Sequence, residues 1–271
     1  MDKTTRNNEN RWDELVRLDV PCSRPNFKLT PNIAKENLNK DGILGNLKNK
    51  KVLCLASGGG QQGIGFALLG AKITVVDFSG EQLEKDKIVS KKFSLPIRII
   101  KTDMRKLSMF EDAKFDVIYQ PYSINYIPET NILFDEVSRI IKSGGIYYLM
   151  FHNPFVHGSW KTGCWGGKWN KSELWNGIGY PIWQPYKDGY KIKTADPTWN
   201  FTNSDGKKIK IKSPQEFKHT LSTIMNGLIK RGFNIIKFDE YKNDDLNSKP
   251  GTWEHYVSFT APWFFLWAKK M

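Results

Sequence analysis

An apolar run, Lys51-Val-Leu-Cys-Leu55, ends abruptly in Ala56-Ser-Gly-Gly-Gly-Gln-Gln-Gly63, and a second, Ile73-Thr-Val-Val76, closes on Asp77. No other feature restricts the fold of this chain so tightly. The layout is that of a strand, a tight turn, a helix and a second strand capped by a carboxylate. Glycines let the backbone pass close to a ligand where a Cβ would collide. A carboxylate at the tip of the second strand can accept ribose hydroxyl protons. Together they imply an adenosine-bearing ligand.

The same alternation continues downstream. Residues 52–55, 73–76, 97–100, 115–119 and 145–151 are short, β-branched-rich runs of the buried-strand kind. Helices are expected over 63–69, 79–93 and 132–141, the second opened by Ser79 with Gln82 at capping-box spacing. Repeated βα units predict an α/β fold with a doubly wound, mostly parallel, seven-stranded sheet and helices on both faces. Ser213, Pro214 and Glu216 form a helix-opening pattern, closed by Gly232. Strands over 234–238 and 257–267 would then finish the sheet.

Four segments follow. Residues 1–44 read as a helical cap, disordered over 1–10, with Arg11-Trp12-Asp-Glu-Leu15-Val16 at helical spacing. Residues 45–155 form the core, and 213–271 complete it. Between them, 156–212 hold six of the ten tryptophans, namely Trp160, Trp165, Trp169, Trp175, Trp183 and Trp199. This stretch lacks a sustained period and is expected to be a lid.

A chain of 271 residues can bury one sizeable core with room for such an insertion. No apolar run reaches the roughly 18 residues that span a bilayer, and the N-terminal residues lack the apolar core of a signal peptide. Cys22, Cys54 and Cys164 are scattered and odd in number, which argues against a disulfide framework or a metal site and for a reducing cytoplasm. The net charge of +13 raises the question of a nucleic-acid partner. It is mostly lysine and dispersed, which fits a solvated surface better.

Gly58, Gly60 and Gly63 satisfy the G-x-G-x-x-G pattern of nicotinamide enzymes. Against that reading, Lys101-Thr-Asp103-Met104 sets a second carboxylate after the third strand, and no Tyr-x-x-x-Lys dyad is present. The successive segments Val52 to Gln62, Val75-Val-Asp-Phe-Ser79, Thr102-Asp-Met104, Phe115 to Tyr119 and Ser143-Gly-Gly145 resemble the motifs of class I S-adenosylmethionine-dependent methyltransferases, most closely the type 11 group. The resemblance implies S-adenosylmethionine as cofactor, and it implies that the final strand pair supplies an antiparallel edge strand. It implies that Ala56, Ser57, Gly58 and Gly60 line its methionine and ribose portion, that Asp77 holds the ribose hydroxyls, and that Phe78 lies on the adenine face. Asp103 and Met104 would bracket the adenine edge, while Gln120, Pro121 and Tyr122 would end the fourth strand beside the sulfonium. Trp12 on an N-terminal helix, Gln62 and Gln82 complete the candidate set. Cys54 departs from the pattern, since many relatives carry Asp or Glu there.

Methyl transfer from a sulfonium is an in-line displacement in which the protein chiefly positions the acceptor and excludes water. A base is required only for a protonated acceptor. His152, directly after the fifth strand, Tyr126, after the fourth, and His219, on the helix after the lid, are the catalytic candidates. The helix is expected to bury Phe217, Leu221, Ile224 and Leu228 and to turn His219, Ser222, Thr223 and Asn226 the other way. The aromatic insertion favours a small aromatic or amine-bearing substrate. An RNA or protein methyltransferase, a non-catalytic cofactor-binding protein and an NAD-dependent oxidoreductase are the alternatives. The oligomeric state is left open.

Overall fold

A computed structural model describes residues 2–157, 162–163, 175–182, 184–193 and 196–271. The N-terminal part contains α1 (Lys3–Arg17) and α2 (Pro31–Asn39). The alternating core runs β1 (Lys51–Leu55), α3 (Gln62–Leu68), β2 (Lys72–Asp77), α4 (Gly80–Phe93), β3 (Ile97–Lys101), β4 (Phe115–Gln120), α5 (Asn131–Ile140) and β5 (Ile141–His152). Short strands follow: β6 (Thr162–Gly163), β7 (Tyr190–Lys191), β8 (Asp196–Thr202), β9 (Lys208–Lys212) and β10 (Phe217–Lys218). The chain closes with α6 (Leu221–Ile229), β11 (Phe233–Glu240), α7 (Trp253–Phe259) and β12 (Trp263–Lys270).

Seven strands form one sheet in the order β11-β12-β5-β4-β1-β2-β3. β5, β4, β1, β2 and β3 pair in parallel, and β12 is antiparallel to both β5 and β11. The reversed strand therefore lies one place in from the edge. Side-chain alternation explains how both faces are buried. Leu53, Leu55, Ile118 and Leu149 face a cluster with Phe134 and Val137 of α5 and Ile224 and Leu228 of α6. Val52, Cys54, Val117 and Tyr119 face the other way, against Ile64 and Phe66 of α3 and Leu83 and Val89 of α4.

Three local expectations are corrected. Of residues 1–10, expected to be disordered, Lys3 onward belong to α1, because Asp2 caps the helix by accepting the Thr5 amide hydrogen at 2.8 Å. The helix expected from Ser213 starts at Leu221, with Thr220 accepting the Thr223 amide hydrogen. The preceding residues stay extended because their backbone is engaged elsewhere. Asn8 of α1 grips Gln215 N–H and C=O at 2.7 and 2.9 Å, and Phe217–Lys218 pairs with β7. The strand expected over 257–267 begins only at Trp263, after Pro262, since Thr252 caps α7 first.

The N-cap at Ser79 forms as expected, accepting from Gln82 N at 3.1 Å, but the Ser79 amide goes to Asp77 rather than to Gln82. Of the tryptophans in the expected lid, Trp160, Trp165, Trp169 and Trp183 lie outside the described residues, as does Cys164. Trp199 on β8 is buried in a small separate cluster with Leu15, Val20, Phe201 and Ile211. No helix among the described residues is long and apolar enough to cross a membrane.

Candidate active site

A cavity of about 510 Å³ opens at the carboxyl ends of β1, β2 and β4, where open α/β sheets take their ligands. Its volume falls in the range of about 300–1,000 Å³ usual for small-molecule sites. One wall is the glycine turn and its surroundings, comprising Ala56, Ser57, Gly58, Gln62, Asp77, Phe78 and Gln82. The other is aromatic: Trp12, Tyr122, Tyr126 and Trp199. Trp12 meets Tyr126 and Trp199 edge-on, with ring centroids 5.6 and 5.7 Å apart, and Tyr122 meets Tyr126 at 5.8 Å.

The turn is shaped by its contacts with β2 and α4. Gly58 N–H donates to Asp77 Oδ2 at 3.0 Å, and Ser79 N–H donates to Asp77 Oδ1 at 2.8 Å. A Cβ on Gly58 would stand 2.5 Å from Gln82 Cβ, so only glycine fits. Gly59 N–H donates to Asp86 Oδ2 at 3.1 Å. Burial pushes Asp77 up to about 6 and, with the Asp77 charge, Asp86 up to about 7. Cys54 faces the buried side beneath this turn, its thiol pushed up by burial and by Asp86. The buried carboxylate that the first strand lacks at position 54 is thus present on α4.

Helix α1 lies over this end of the sheet through several polar ties. Asp13 accepts from Ser79 Oγ at 2.6 Å, Asn8 Nδ2 donates to Tyr126 O at 3.2 Å, and Lys101 pairs with Glu9 at 2.8 Å. Arg105 joins Asp103 at 2.6 Å, Asp2 at 2.8 Å and Thr5 Oγ1 at 2.6 Å.

Several sequence candidates stand outside the cavity lining. Asp103 is buried in its Arg105 pair, which holds its carboxyl below the usual range despite burial. Gln120 is turned to the interior, accepting from Tyr147 Oη at 2.5 Å and donating to Ser123 Oγ at 2.9 Å, with Met104 Sδ beside it. Gly60, at φ +72°, packs on α4, where a Cβ would come within 2.9 Å of Lys85 O. His219 is not on the helix. It is buried ahead of α6, and its Nε2 approaches Ile127 O at 2.9 Å and Ile124 O at 3.2 Å. His152 is buried behind Tyr122, with ring centroids 6.2 Å apart, and its Nδ1 lies 3.2 Å from Asn153 O.

Two residues missed by the sequence reading adjoin the aromatic wall. Glu216 Oε2 accepts from Tyr122 Oη at 3.2 Å and lies 2.6 Å from His157 Nε2. His157 stacks on His152 at 4.3 Å and 10°. In sequence Glu216 reads as the third residue of a helix opened by Ser213, and nothing local marks it otherwise, because its partners lie about 60 and 90 residues away.

Residues 53–149 match the type 11 model described as a methyltransferase domain. The uncharacterized methyltransferase YbaJ of Bacillus subtilis is 33% identical over 196 residues, covering 72% of this chain and 70% of that one. A ubiquinone biosynthesis O-methyltransferase of Proteus mirabilis is 27% identical over 135 residues, 50% of this chain and 52% of its own length. The crystal structure of an S-adenosylmethionine-dependent methyltransferase from Mesorhizobium loti shares the fold, with a TM-score of 0.59 at 16% identity over 88% of this chain and 98% of that one. With a third of the aligned positions identical across most of both chains, the protein belongs to the class I S-adenosylmethionine-dependent methyltransferases, in the type 11 group.

Proposed function

We propose that the protein transfers the methyl group of S-adenosylmethionine to a small aromatic or amine-bearing metabolite. The observation that carries this reading is the two-sided cavity, with a polar glycine-turn wall facing an aromatic one. The polar wall fits the cofactor. The close approach at Gly58 leaves room that any side chain would fill, and Gln82 Oε1 is buried without a hydrogen-bond partner among the described residues. Asp77, Ser57, Gly58 and Gln82 would hold it, with Phe78 beside them. Gly60, Asp103, Met104 and Gln120 would act behind them, by shaping the turn and the strand ends.

When bound, the cofactor supplies an electrophilic methyl group on a sulfonium. The chain's own part is to exclude water and orient the acceptor. Trp12, Tyr122, Tyr126 and Trp199 supply aromatic faces and edges that suit a planar ring or a cationic amine. The ubiquinone-biosynthesis relative is named for O-methylation, which supports a hydroxyl-bearing acceptor.

Calorimetry should detect S-adenosylmethionine binding by the purified protein. Incubation with methyl-labelled cofactor and a fractionated metabolite extract should then yield a labelled small molecule. Label appearing only in RNA or protein would overturn the small-metabolite reading, and binding of NAD without S-adenosylmethionine would overturn the cofactor.

A further inference from the structure

We propose that Tyr122 takes the acceptor's proton while passing its own to Glu216, which His157 holds in place; this rests on the methyltransferase reading of the cavity. Tyr122 is the one member of this trio in the cavity wall. Its hydroxyl donates to Glu216 Oε2 at 3.2 Å, and His157 Nε2 reaches the same oxygen at 2.6 Å. The partners come from three separated places, namely the loop after β4, the loop after β5 and the residue before β10. A contact so assembled is a product of tertiary structure rather than of local turn geometry.

The surroundings suit proton transfer. Glu216 lies deep in the protein yet keeps 20% of its side chain accessible. Its carboxyl is pushed up to about 7 by burial, against the opposing pull of His152 and the Tyr122 hydrogen bond. Tyr122 is pushed well above its ordinary value, by burial first and by the Glu216 charge second. The phenol therefore stays neutral and acts by exchanging protons, not as a phenolate. His152 and His157 are driven toward the neutral form by burial. Lys218 also bears on both histidines, and His219 on His157. Tyr126 faces the same carboxylate and is itself pushed up.

The acceptor's lone pair forms the new bond to the methyl carbon, and the carbon–sulfur bond breaks with its electron pair going to sulfur. The acceptor's surplus proton passes to Tyr122 Oη as the phenolic proton passes to Glu216 Oε2. Glu216 then loses that proton to water. Tyr122 is the catalytic residue, and Glu216 and His157 are positioning residues.

The test compares wild type with Tyr122→Phe, Glu216→Gln, Glu216→Asp and His157→Gln. Calorimetry with S-adenosylmethionine should give affinities within about threefold of wild type, since Tyr122→Phe keeps the ring in the wall and Glu216 and His157 lie outside the lining. Transfer to the acceptor found in the metabolite extract should fall about 100-fold in Tyr122→Phe and Glu216→Gln, the usual scale of general acid–base catalysis. Glu216→Asp should recover part of the rate. The wild-type rate should rise with pH to a plateau above about 7, and this dependence should vanish in Glu216→Gln and shift in His157→Gln.

A readout that needs no acceptor is the carboxyl infrared titration, taken as wild type minus Glu216→Gln on the protein alone. A midpoint near 7 is expected; a midpoint in the ordinary range of about 4 to 5 would overturn the relay. So would Tyr122→Phe turning over at the wild-type rate. Failure of wild type to bind S-adenosylmethionine would instead sink the reading of the cavity itself.

Discussion

Asp86 on α4 accepts the Gly59 amide hydrogen at 3.1 Å from beneath the glycine turn. One residue earlier, Gly58 donates to Asp77 at 3.0 Å, so the turn hangs between two buried carboxylates. Their nearness matters as much as the hydrogen bonds, because the Asp77 charge adds to burial in raising the cost of ionising Asp86.

Asp86→Asn tests that cost. Asp86 has its ordinary value of 3.8 in the unfolded chain and about 7 when folded. Across that window the folded state holds a proton that the unfolded state has released, so stability is present below the window and is lost as pH rises through it. Asparagine keeps an acceptor for Gly59 and cannot ionise. Urea unfolding should show Asp86→Asn gaining on wild type from pH 5 to pH 8 by roughly 1–3 kcal/mol, at about 1.4 kcal/mol per pH unit for a full proton. Parallel stability curves for the two proteins would refute the coupling.

Gly58→Ala tests whether the turn is a binding surface. The new Cβ would meet Gln82 Cβ, fixed next to the α4 backbone, at 2.5 Å and Asp77 Oδ2, in a carboxylate held by two backbone amides, at 3.1 Å. The first turn of α4 or the glycine turn must shift, costing about 1–3 kcal/mol of stability. S-Adenosylmethionine affinity by calorimetry should fall at least tenfold, since the displaced atoms form the polar wall. Unchanged affinity in a folded variant would remove the turn from the site.

The parts of this fold that were legible in sequence are those with local causes. The βα alternation through β5 reads from short apolar runs and glycines, and Ser79 and Asp77 read from position alone. Errors arose where a local signal lost to a distant partner. Ser213-Pro-Gln-Glu216 has a good helix-opening pattern, but Asn8 and β7 claim its backbone. Asp103 reads as a ligand at a strand end, yet Arg105, two residues on, takes its carboxylate. Asp86 and Glu216 were invisible for the same reason. An acid in a helix or a loop reads as surface until the fold brings amides or histidines to it.

Arg105 should prove the main tie holding the start of α1. It reaches Asp103, Asp2 and Thr5 together, and Asp103 is only 4% exposed. Arg105→Met would leave that carboxylate buried without its cation, which costs about 3–5 kcal/mol when a buried pair is broken. Relief can come from release of the helix end. Amide hydrogen exchange should therefore speed up over residues 3–10 more than in the β1–β4 core, and limited proteolysis should cut first near the N-terminus. Uniform loss of protection across the sheet would show that α1 is not a separate unit.

Trp12 links that helix to the aromatic wall, and Trp12→Ala separates binding from folding. Its ring packs on Tyr126 and Trp199 at 5.6 and 5.7 Å, and it belongs to the small cluster around Leu15 and Phe201 rather than to either face of the sheet. The two main clusters keep every buried contact in the variant, so the core should remain folded. Truncating a partly buried tryptophan at such a junction costs about 3 kcal/mol, toward the low end for aromatic deletions. The cavity loses the ring shared by α1 and β8, so S-adenosylmethionine affinity should fall at least tenfold while the circular dichroism of the sheet is preserved. If affinity holds and only the melting temperature moves, Trp12 is packing and the wall begins at Tyr126.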